Sequence, residues 1–341
     1  INGANIVIMR LLVILLSFLT IPIINAQPLD ARLAPLASKS LLLDIIEINQ
    51  SKLVAVGERG HILLSSDGVD WQQAQVPVQV TLTAVYFIDE MHGWAVGHDA
   101  TILSSKDGGV SWQVQQHLPE VEKPLLDVLF FDRNTGVAVG AYGLFYRTND
   151  GGQHWTIEYH NEFLYPEDQA YLAELKLDDE VAYLDEQSSI LPHFNRVVAD
   201  GRTLYLAGEL GLIAKSNNFG VSWQRLDEIY PGSFYDIDRT QEGNLVVVGL
   251  RGHIFRSLKN GTPWQASDSH VTALLSSIVL SDDQRVFILG NNGVLLESRD
   301  DGATFTKHVQ KDGKALIAGV WYKNKIIAVS DVGIKTINIT K

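Results

Sequence analysis

The 341-residue sequence contains no cysteine and only two methionines. Without cysteine there is no disulfide framework and no lipid-modified cysteine at a leader junction, so stability has to come from packing. Basic residues are scarce as well: 27 Lys and Arg stand against 40 Asp and Glu, a formal charge of −13. A chain this acidic lacks the clustered cations that phosphate contacts need, so nucleic acid is not an expected partner. There is no phosphate loop, zinc motif or dinucleotide fingerprint, and no cofactor or metal is expected. Long apolar runs are also missing. The run from Leu11 to Ile24 covers ~14 residues, includes Pro22, and is short for a membrane span. With Met9-Arg10 before it and Asn25-Ala26 after it, residues 1–26 read as a secretory signal peptide whose true start is Met9. Removing it leaves 26 basic against 40 acidic residues, or −14, on an exported, periplasmic chain.

What the sequence does have is repetition. The stretch GHDATILSSKDGGVSW (Gly97–Trp112) returns in altered form from Gly57, Gly140, Gly208, Gly249 and Gly290, with a shortened copy from Ser330. The steps are 40, 43, 68, 41, 41 and 40 residues. A period of ~40 residues made of short apolar runs between Gly, Asp and Asn clusters is the sign of a β-propeller. Residues 27–341 are therefore expected to form one all-β domain, a seven-bladed propeller of four-stranded antiparallel blades. The seventh copy stops after its third strand. Residues Arg32–Ser38 are expected to supply the fourth, so that an N-terminal strand closes the ring and removes the exposed edges.

Two turns recur. The first is Gly-x-x-Gly, with Ala100 and Ser330 each replacing one glycine; glycine suits a tight reversal at positive φ. The second is the Asp-box pattern, Ser/Thr-x-Asp-x-Gly-x-x-Trp/Phe. Its acid position holds Asp67, Asp107, Asp150, Asn218 and Asp300, and blade five has Lys259 there. The carboxylate is expected to accept backbone N–H groups across the turn and the aromatic to pack between blades, which is a structural role.

The long 68-residue step holds about 27 extra residues, within 157–195. Pro166-Glu167-Asp168 followed by Tyr171, Leu172 and Leu175 reads as a short amphipathic helix, broken at Asp178-Asp179-Glu180. Phe163 and Tyr171 are the expected anchors of this insertion. It carries ten acids against Lys176 alone, a balance of −9. A long charged insertion in a compact domain reads as a partner-binding arm, with Glu167, Asp168, Glu174, Asp178 and Asp179 as its candidate contacts. In a four-stranded blade the two-to-three turns share a face with the blade-to-blade links. Arg59, Asp99, Tyr142, Arg251 and the insertion should then crowd one surface, with the Asp boxes opposite.

The Gly-x-x-Gly turn, apolar strand and Asp-Gly-Gly-x-x-Trp, as in AVGAYGLFYRTNDGGQHW, resemble the photosystem II stability and assembly factor family over nearly all of residues 41–340. The resemblance implies a non-catalytic, exported scaffold or assembly factor, active as a monomer. Its partner would be a membrane-protein complex, with the membrane touched only through that partner and the thylakoid lumen as location in a photosynthetic organism. It further implies a basic patch just before the Ser/Thr of the Asp box. That column reads Leu64, Ser104, Arg147, Lys215, Arg256, Glu297 and Lys335, so Arg147, Lys215, Arg256 and Lys335 are candidate partner contacts, together with Arg59 and Arg251 on the turn face. A second group, the sialidases, shares only the Asp boxes. On that reading Tyr142, Glu209, Arg59 and Arg251 would have to converge. A carbohydrate-binding propeller using Tyr142, Tyr165 and Tyr171 is the third alternative.

Overall fold

Apolar runs become strands and the Gly, Asn and Asp clusters between them become turns in a computed structural model that describes residues 29–258 and 261–339. The signal peptide read over residues 1–26 lies outside the described residues. Each copy of the repeat is one antiparallel sheet with its strands in chain order. Blade one runs Leu42–Ile48, Lys52–Gly57, Ile62–Ser65 and Gln72–Gln73. Blade two is Leu82–Phe87, Gly93–Gly97, Thr101–Ser105 and Gln113–Gln116. The inner strands of blades three to seven start at Leu125, Phe194, Phe234, Leu275 and Leu316. Four of the seven second strands, Gly93–Gly97 and Val286–Gly290 among them, are buried throughout and the other three at all but their first residue, because a blade has a neighbour on each face. The apolar clusters accordingly straddle blades. One joins Val54 and Val56 of blade one to Leu82, Val85 and Ala95 of blade two, and another joins Leu42 and Ile45 to Tyr322, Ile327 and Val329 across the seam where the chain ends meet. Each such buried aliphatic side chain contributes about 1.5–3 kcal/mol, so packing sustains the ring without covalent cross-links.

The expected N-terminal fourth strand of blade seven is not formed. That sheet has three strands, Leu316–Tyr322, Lys325–Ser330 and Gly333–Asn338. Residues 29–36 instead run irregularly along blade one. Ala31 N–H donates to Val76 O (2.8 Å), Ala34 N–H to Gln73 Oε1 (2.8 Å), and Gln73 Nε2 to Arg32 O (2.9 Å). Pro35 has no N–H to give a ladder, and the donors around it are already used on blade one.

Closure is instead made by the link. In blade one a Cβ on Gly60 would lie 2.1 Å from Val78 O, four residues before the next inner strand; in blade seven a Cβ on Gly333 would lie 2.0 Å from Ser38 O, again four residues before Leu42. The seam thus repeats the contact used between other blades. The two glycines of the turn serve different needs. Gly57 is extended (φ −176°) and is required because a Cβ would meet Leu41 O at 2.2 Å. Positive φ falls on the last two positions of the turn, Arg59 (57°) and Gly60 (71°), and on Asp99 with Ala100 (58° and 45°) in blade two.

Around the axis the blades are joined by polar bonds that alternate in kind. In blades one, three and five an aspartate two residues into the inner strand reaches the next blade: Asp44 accepts from Val85 N–H (2.9 Å), Asp127 from Val197 N–H (2.8 Å) and Asp236 from Ile278 N–H (2.7 Å). In blades two, four and six the preceding residue donates forward: Thr83 Oγ1 to Leu125 O (2.6 Å), Asn195 Nδ2 to Phe234 O (2.7 Å) and Ser276 Oγ to Leu316 O (2.9 Å). A two-blade alternation cannot close on an odd number of blades. The break falls at the seven-to-one seam, where Ile317 and Ala318 occupy the two positions.

Candidate functional site

All seven inner strands line an axial channel of about 640 Å³. Arg196 of blade four projects into it between two aspartates, with Nη1 at 3.5 Å from Asp127 Oδ1 and Nε at 3.2 Å from Asp236 Oδ1. Burial pushes Asp127 up to about 6 and Asp236 up to about 7, with the Arg196 charge opposing. Burial raises Asp44 and Asp238 in the same way, again against Arg196. Acids and a guanidinium therefore do meet on the axis. Each of Asp44, Asp127 and Asp236, however, uses one oxygen on its own strand and the other on the next blade. These carboxylates hold the ring together. Among the described residues no group of three or more His, Asp or Glu side chains is placed to hold a metal ion.

The Asp boxes adopt the expected local geometry. Ser105 Oγ donates to Asp107 and accepts from Gly109 N–H (2.8 Å for both), while Asp107 accepts from Ser111 N–H and Oγ–H (3.0 and 2.6 Å). Asp150 and Asp300 repeat this with His154 and Thr304, while Asn218 accepts from Ser222 N–H (3.0 Å) and donates its Nδ2 to Ser222 Oγ (2.9 Å). In the shorter box Asp67 accepts from Val69 and Asp70 N–H, and those bonds hold its carboxyl below the usual range. The backbone and side-chain bonds from His154 bring Asp150 down to about 2. Trp112 and Trp223 are buried; Trp155 is half-buried and meets Phe130 edge-to-face at 5.8 Å.

On the opposite face the Gly-x-x-Gly turns meet the blade links, as Gly60 N–H to Val80 O and Gly143 N–H to Pro192 O show. Arg59, Asp99, Tyr142 and Arg251 occupy equivalent turn positions on blades one, two, three and five. Tyr142 and Glu209 both meet His193, by ring contact at 4.5 Å and ion pair at 3.5 Å; Arg59 pairs, among the described residues, with Glu58 at 3.9 Å. No bond brings Arg59 or Arg251 to Tyr142 or Glu209 among the described residues. A cleft of about 360 Å³ beside Tyr142 is lined by Tyr146, Tyr159, Ile157 and Lys123.

The insertion joins this face as a helical hairpin, α1 (Pro166–Asp178) and α2 (Glu180–Gln187). Asp179 ends the first helix and caps the second, accepting from Val181 and Ala182 N–H (3.0 Å each). Phe163 is a buried anchor as expected, joined by Leu164, Leu172, Tyr183 and Leu191; Tyr171 is exposed instead, because it falls on the solvent side of α1. Glu167, Glu174, Asp178 and Asp179 are exposed and Asp168 is half-exposed, without ion pairs among the described residues.

The basic column does not gather into an open patch. Arg147 is 8 % exposed. Its Nε and Nη2 hold both oxygens of Glu158 (2.7 and 3.0 Å), and Nη1 and Nη2 reach Phe219 O and Gly220 O in the next blade's Asp box (2.9 and 2.8 Å). Arg256 does the same two junctions on, donating to the Asp301 carboxylate and carbonyl (2.8 and 2.7 Å). These two arginines are blade-to-blade latches. Lys215 is half-buried without an ion pair among the described residues. Lys335 is not in the column at all. The blade-seven hairpin pairs Ser330 with Gly333 across two residues, whereas the others enclose three, so Thr336 faces Ile327 where Arg147 faces Val137 and Arg256 faces Val246. A one-residue slip moves a side chain to the other face of a strand, and Lys335 pairs there with Asp312 (2.7 Å).

A family model described as photosynthesis system II assembly factor YCF48 matches residues 63–156 and 115–271, more than half of the chain. The chain belongs to the YCF48 family. Similar curated members are the photosystem II assembly protein Ycf48 of Thermosynechococcus vestitus, 27% identical over 234 residues, and the photosystem II assembly lipoprotein Ycf48 of Picosynechococcus, 25% identical over 234 residues. These alignments cover 68% and 67% of this chain and 60% and 61% of those relatives, so the chain spans about 60% of their length. A solved YCF48 bound to D1 peptide superposes with a TM-score of 0.67 at 17% identity, covering 93% of this chain and 100% of that one. YCF48 from Cyanidioschyzon merolae gives 0.65 at 17% identity, covering 90% and 98%. At that identity the superpositions speak for the fold.

Within this YCF48-family propeller, the side chains that sequence reasoning missed are the axial ones, Arg196 with Asp44, Asp127 and Asp236. A signal for the aspartates was present: Leu42-Leu43-Asp44, Leu125-Leu126-Asp127 and Phe234-Tyr235-Asp236 each place an acid inside an apolar strand start. Nothing local distinguishes Arg196 from an ordinary strand residue.

Proposed function

We propose that this chain is a non-catalytic, exported binding propeller that receives a membrane-protein subunit, or an extended segment of one, during assembly of a complex of the photosystem II type. The observation that carries the reading is the family match across residues 63–271. The geometry supports it in two ways. The axial carboxylates, which resemble a catalytic constellation in composition, are used in strand-to-strand bonds. The turn face offers a broad surface with the acidic hairpin at one side, suited to contact. Since a related propeller is known bound to D1 peptide, a D1-type segment is the partner to try first.

The test is a calorimetric titration of the purified chain with D1 peptide, alongside capture of assembly intermediates from detergent-solubilised membranes. Saturable binding, with a D1-containing intermediate recovered, supports the reading; no binding in either format removes it. Hydrolysis of a fluorogenic sialoside that is lost in Arg251→Ala would overturn the non-catalytic part. On the same reading the insertion acids Glu167, Asp168, Glu174, Asp178 and Asp179 contribute to the contact surface. Unchanged capture after deletion of residues 166–187 would remove them from it.

A further inference from the structure

In six blades the outer edge of the third strand is covered by a fourth. The covering pairs are Leu64 with Gln72, Ser104 with Gln113, Arg147 with Thr156, Lys215 with Gln224, Arg256 with Gln265 and Glu297 with Thr306. The equivalent residue of blade seven is Thr336, which pairs inward with Ile327 and with no described strand on its outer side. The six counterparts are buried or half-buried, and Thr336 alone is exposed. Alternation along an antiparallel ladder turns the backbone groups of Ile334, Thr336 and Asn338 away from the second strand. In sister blades the carbonyl that matches Ile334 O is taken: Ile62 O by Ala74 N–H, Phe145 O by Glu158 N–H and Ile213 O by Leu226 N–H, each at 2.8 Å.

A second observation concerns the aromatic that begins each fourth strand. In blades two and three it meets the sixth residue of the inner strand edge-to-face, Trp112 with Phe87 (5.9 Å) and Trp155 with Phe130 (5.8 Å). Blade seven has an aromatic at that sixth position, Trp321, stacked on Phe287 of blade six (5.7 Å), with no box aromatic beside it among the described residues.

The local charge indicates what fits. Residues 311–339 hold five lysines and two aspartates, a net +3 in a chain of net −13. A second copy would bring the same sign to the edge, so edge-to-edge pairing of this chain with itself is disfavoured.

We propose that the open edge of blade seven receives an extended, acidic segment of a protein partner as its fourth strand. The sister blades set the register. The residue after the guest's aromatic, Gln or Thr in all six, faces Thr336, and the next residue faces Lys335. The matching guest therefore reads aromatic, then Gln or Thr, then Asp or Glu. This goes beyond the proposed function, since it names a place and a sequence pattern that a D1-type partner need not share.

The experiment uses the full chain, isotopically labelled, and a synthetic peptide of about eight residues with Trp-Thr-Asp at its centre. Saturable shifts of the Thr336 and Asn338 amides, with slower hydrogen exchange there, are expected. Replacing the peptide Asp with Lys, or N-methylating its Thr, should each weaken binding at least tenfold. Thr336→Pro should abolish it while leaving the melting temperature that of the parent, because that N–H faces outward. If Thr336→Pro does not fold, the N-methylated peptide tests the same bond on the parent protein. Equal binding of the N-methylated or lysine peptide would reduce the effect to adsorption and overturn the proposal. So would protection of the Thr336 amide in the free chain, which would mean that the chain fills the edge itself. Binding of D1 peptide with unchanged Thr336 and Asn338 amides would leave the proposed function standing and defeat this inference alone.

Discussion

The junction between blades three and four and the seam between blades seven and one are built from the same repeat and differ in how much holds them. At the first, Arg147 latches onto the next Asp box, Asp127 reaches Val197, and the insertion adds Phe163, Leu172 and Tyr183 to a shared core. His160 extends the latch, lying 3.5 Å from Glu158 and 3.0 Å from Glu162. At the seam, among the described residues, the axial bond is missing and the sheet of blade seven has three strands. The apolar cluster around Leu42, Tyr322 and Ile327 remains, with the Tyr322 hydroxyl donating to Ser66 O (2.7 Å) and the Ser38 link over Gly333. Apolar packing with one capped turn is therefore enough to close a ring, and polar latches are additions to it. Where the latches are absent, backbone is left available.

Removing one cation from each junction separates the two most strongly. Arg147→Ala removes a buried guanidinium and strands the half-buried Glu158 carboxylate and two carbonyls, and is expected to cost about 3 kcal/mol in denaturant unfolding. Lys323→Ala removes a bond to Ser66 O across the seam (3.3 Å) from an exposed side chain and should cost less than about 1 kcal/mol. Equal losses would mean that the seam is latched as tightly as its counterpart.

The axial carboxylates give the next effect. Their folded pKa values lie above the unfolded value near 3.8, so the stability they permit is complete below that value and is lost as pH rises through about 6 and 7. The melting temperature should be higher at pH 5 than at pH 8, by several degrees, and Asp236→Asn should flatten the difference. A chain that melts lower at pH 5 than at pH 8 would contradict the buried cluster. The Asp-box carboxylates shift the other way: what they contribute is complete above about 4 and is lost as pH falls toward about 2, so the two windows do not overlap.

Asp107→Ala should cost about 1 kcal/mol, since the lost bonds are partly solvated and the turn keeps its Ser105 hydroxyl contact to Gly109. The smallest effect is expected at Leu177, exposed on α1. Leu177→Ser should leave stability within about 0.5 kcal/mol, while the buried Leu172→Ala on the same helix should cost about 2–4 kcal/mol. Similar losses at the two positions would mean that the hairpin packs in a different orientation.

Repeat number, strand positions, Asp-box turns and the helical insertion were legible in the sequence, because each depends on residues close along the chain. Gly57 and Gly60 mark a turn wherever they occur, Asp107 finds its donors within four residues, and Pro166-Glu167-Asp168 starts a helix by local chemistry. What the sequence left open was decided across blades. A two-residue hairpin at Asp331-Val332 in place of a three-residue one slipped Lys335 out of the column it seemed to share with Arg147. Partners one blade away turned Arg147 and Arg256 from candidate contacts into latches. Seven, an odd count, left one junction outside the alternation of Asp44, Asp127 and Asp236 with Thr83, Asn195 and Ser276. Local spacing determines which sheet a residue joins; only the closed ring determines what stands next to it, because those neighbours lie some 40 residues away along the chain.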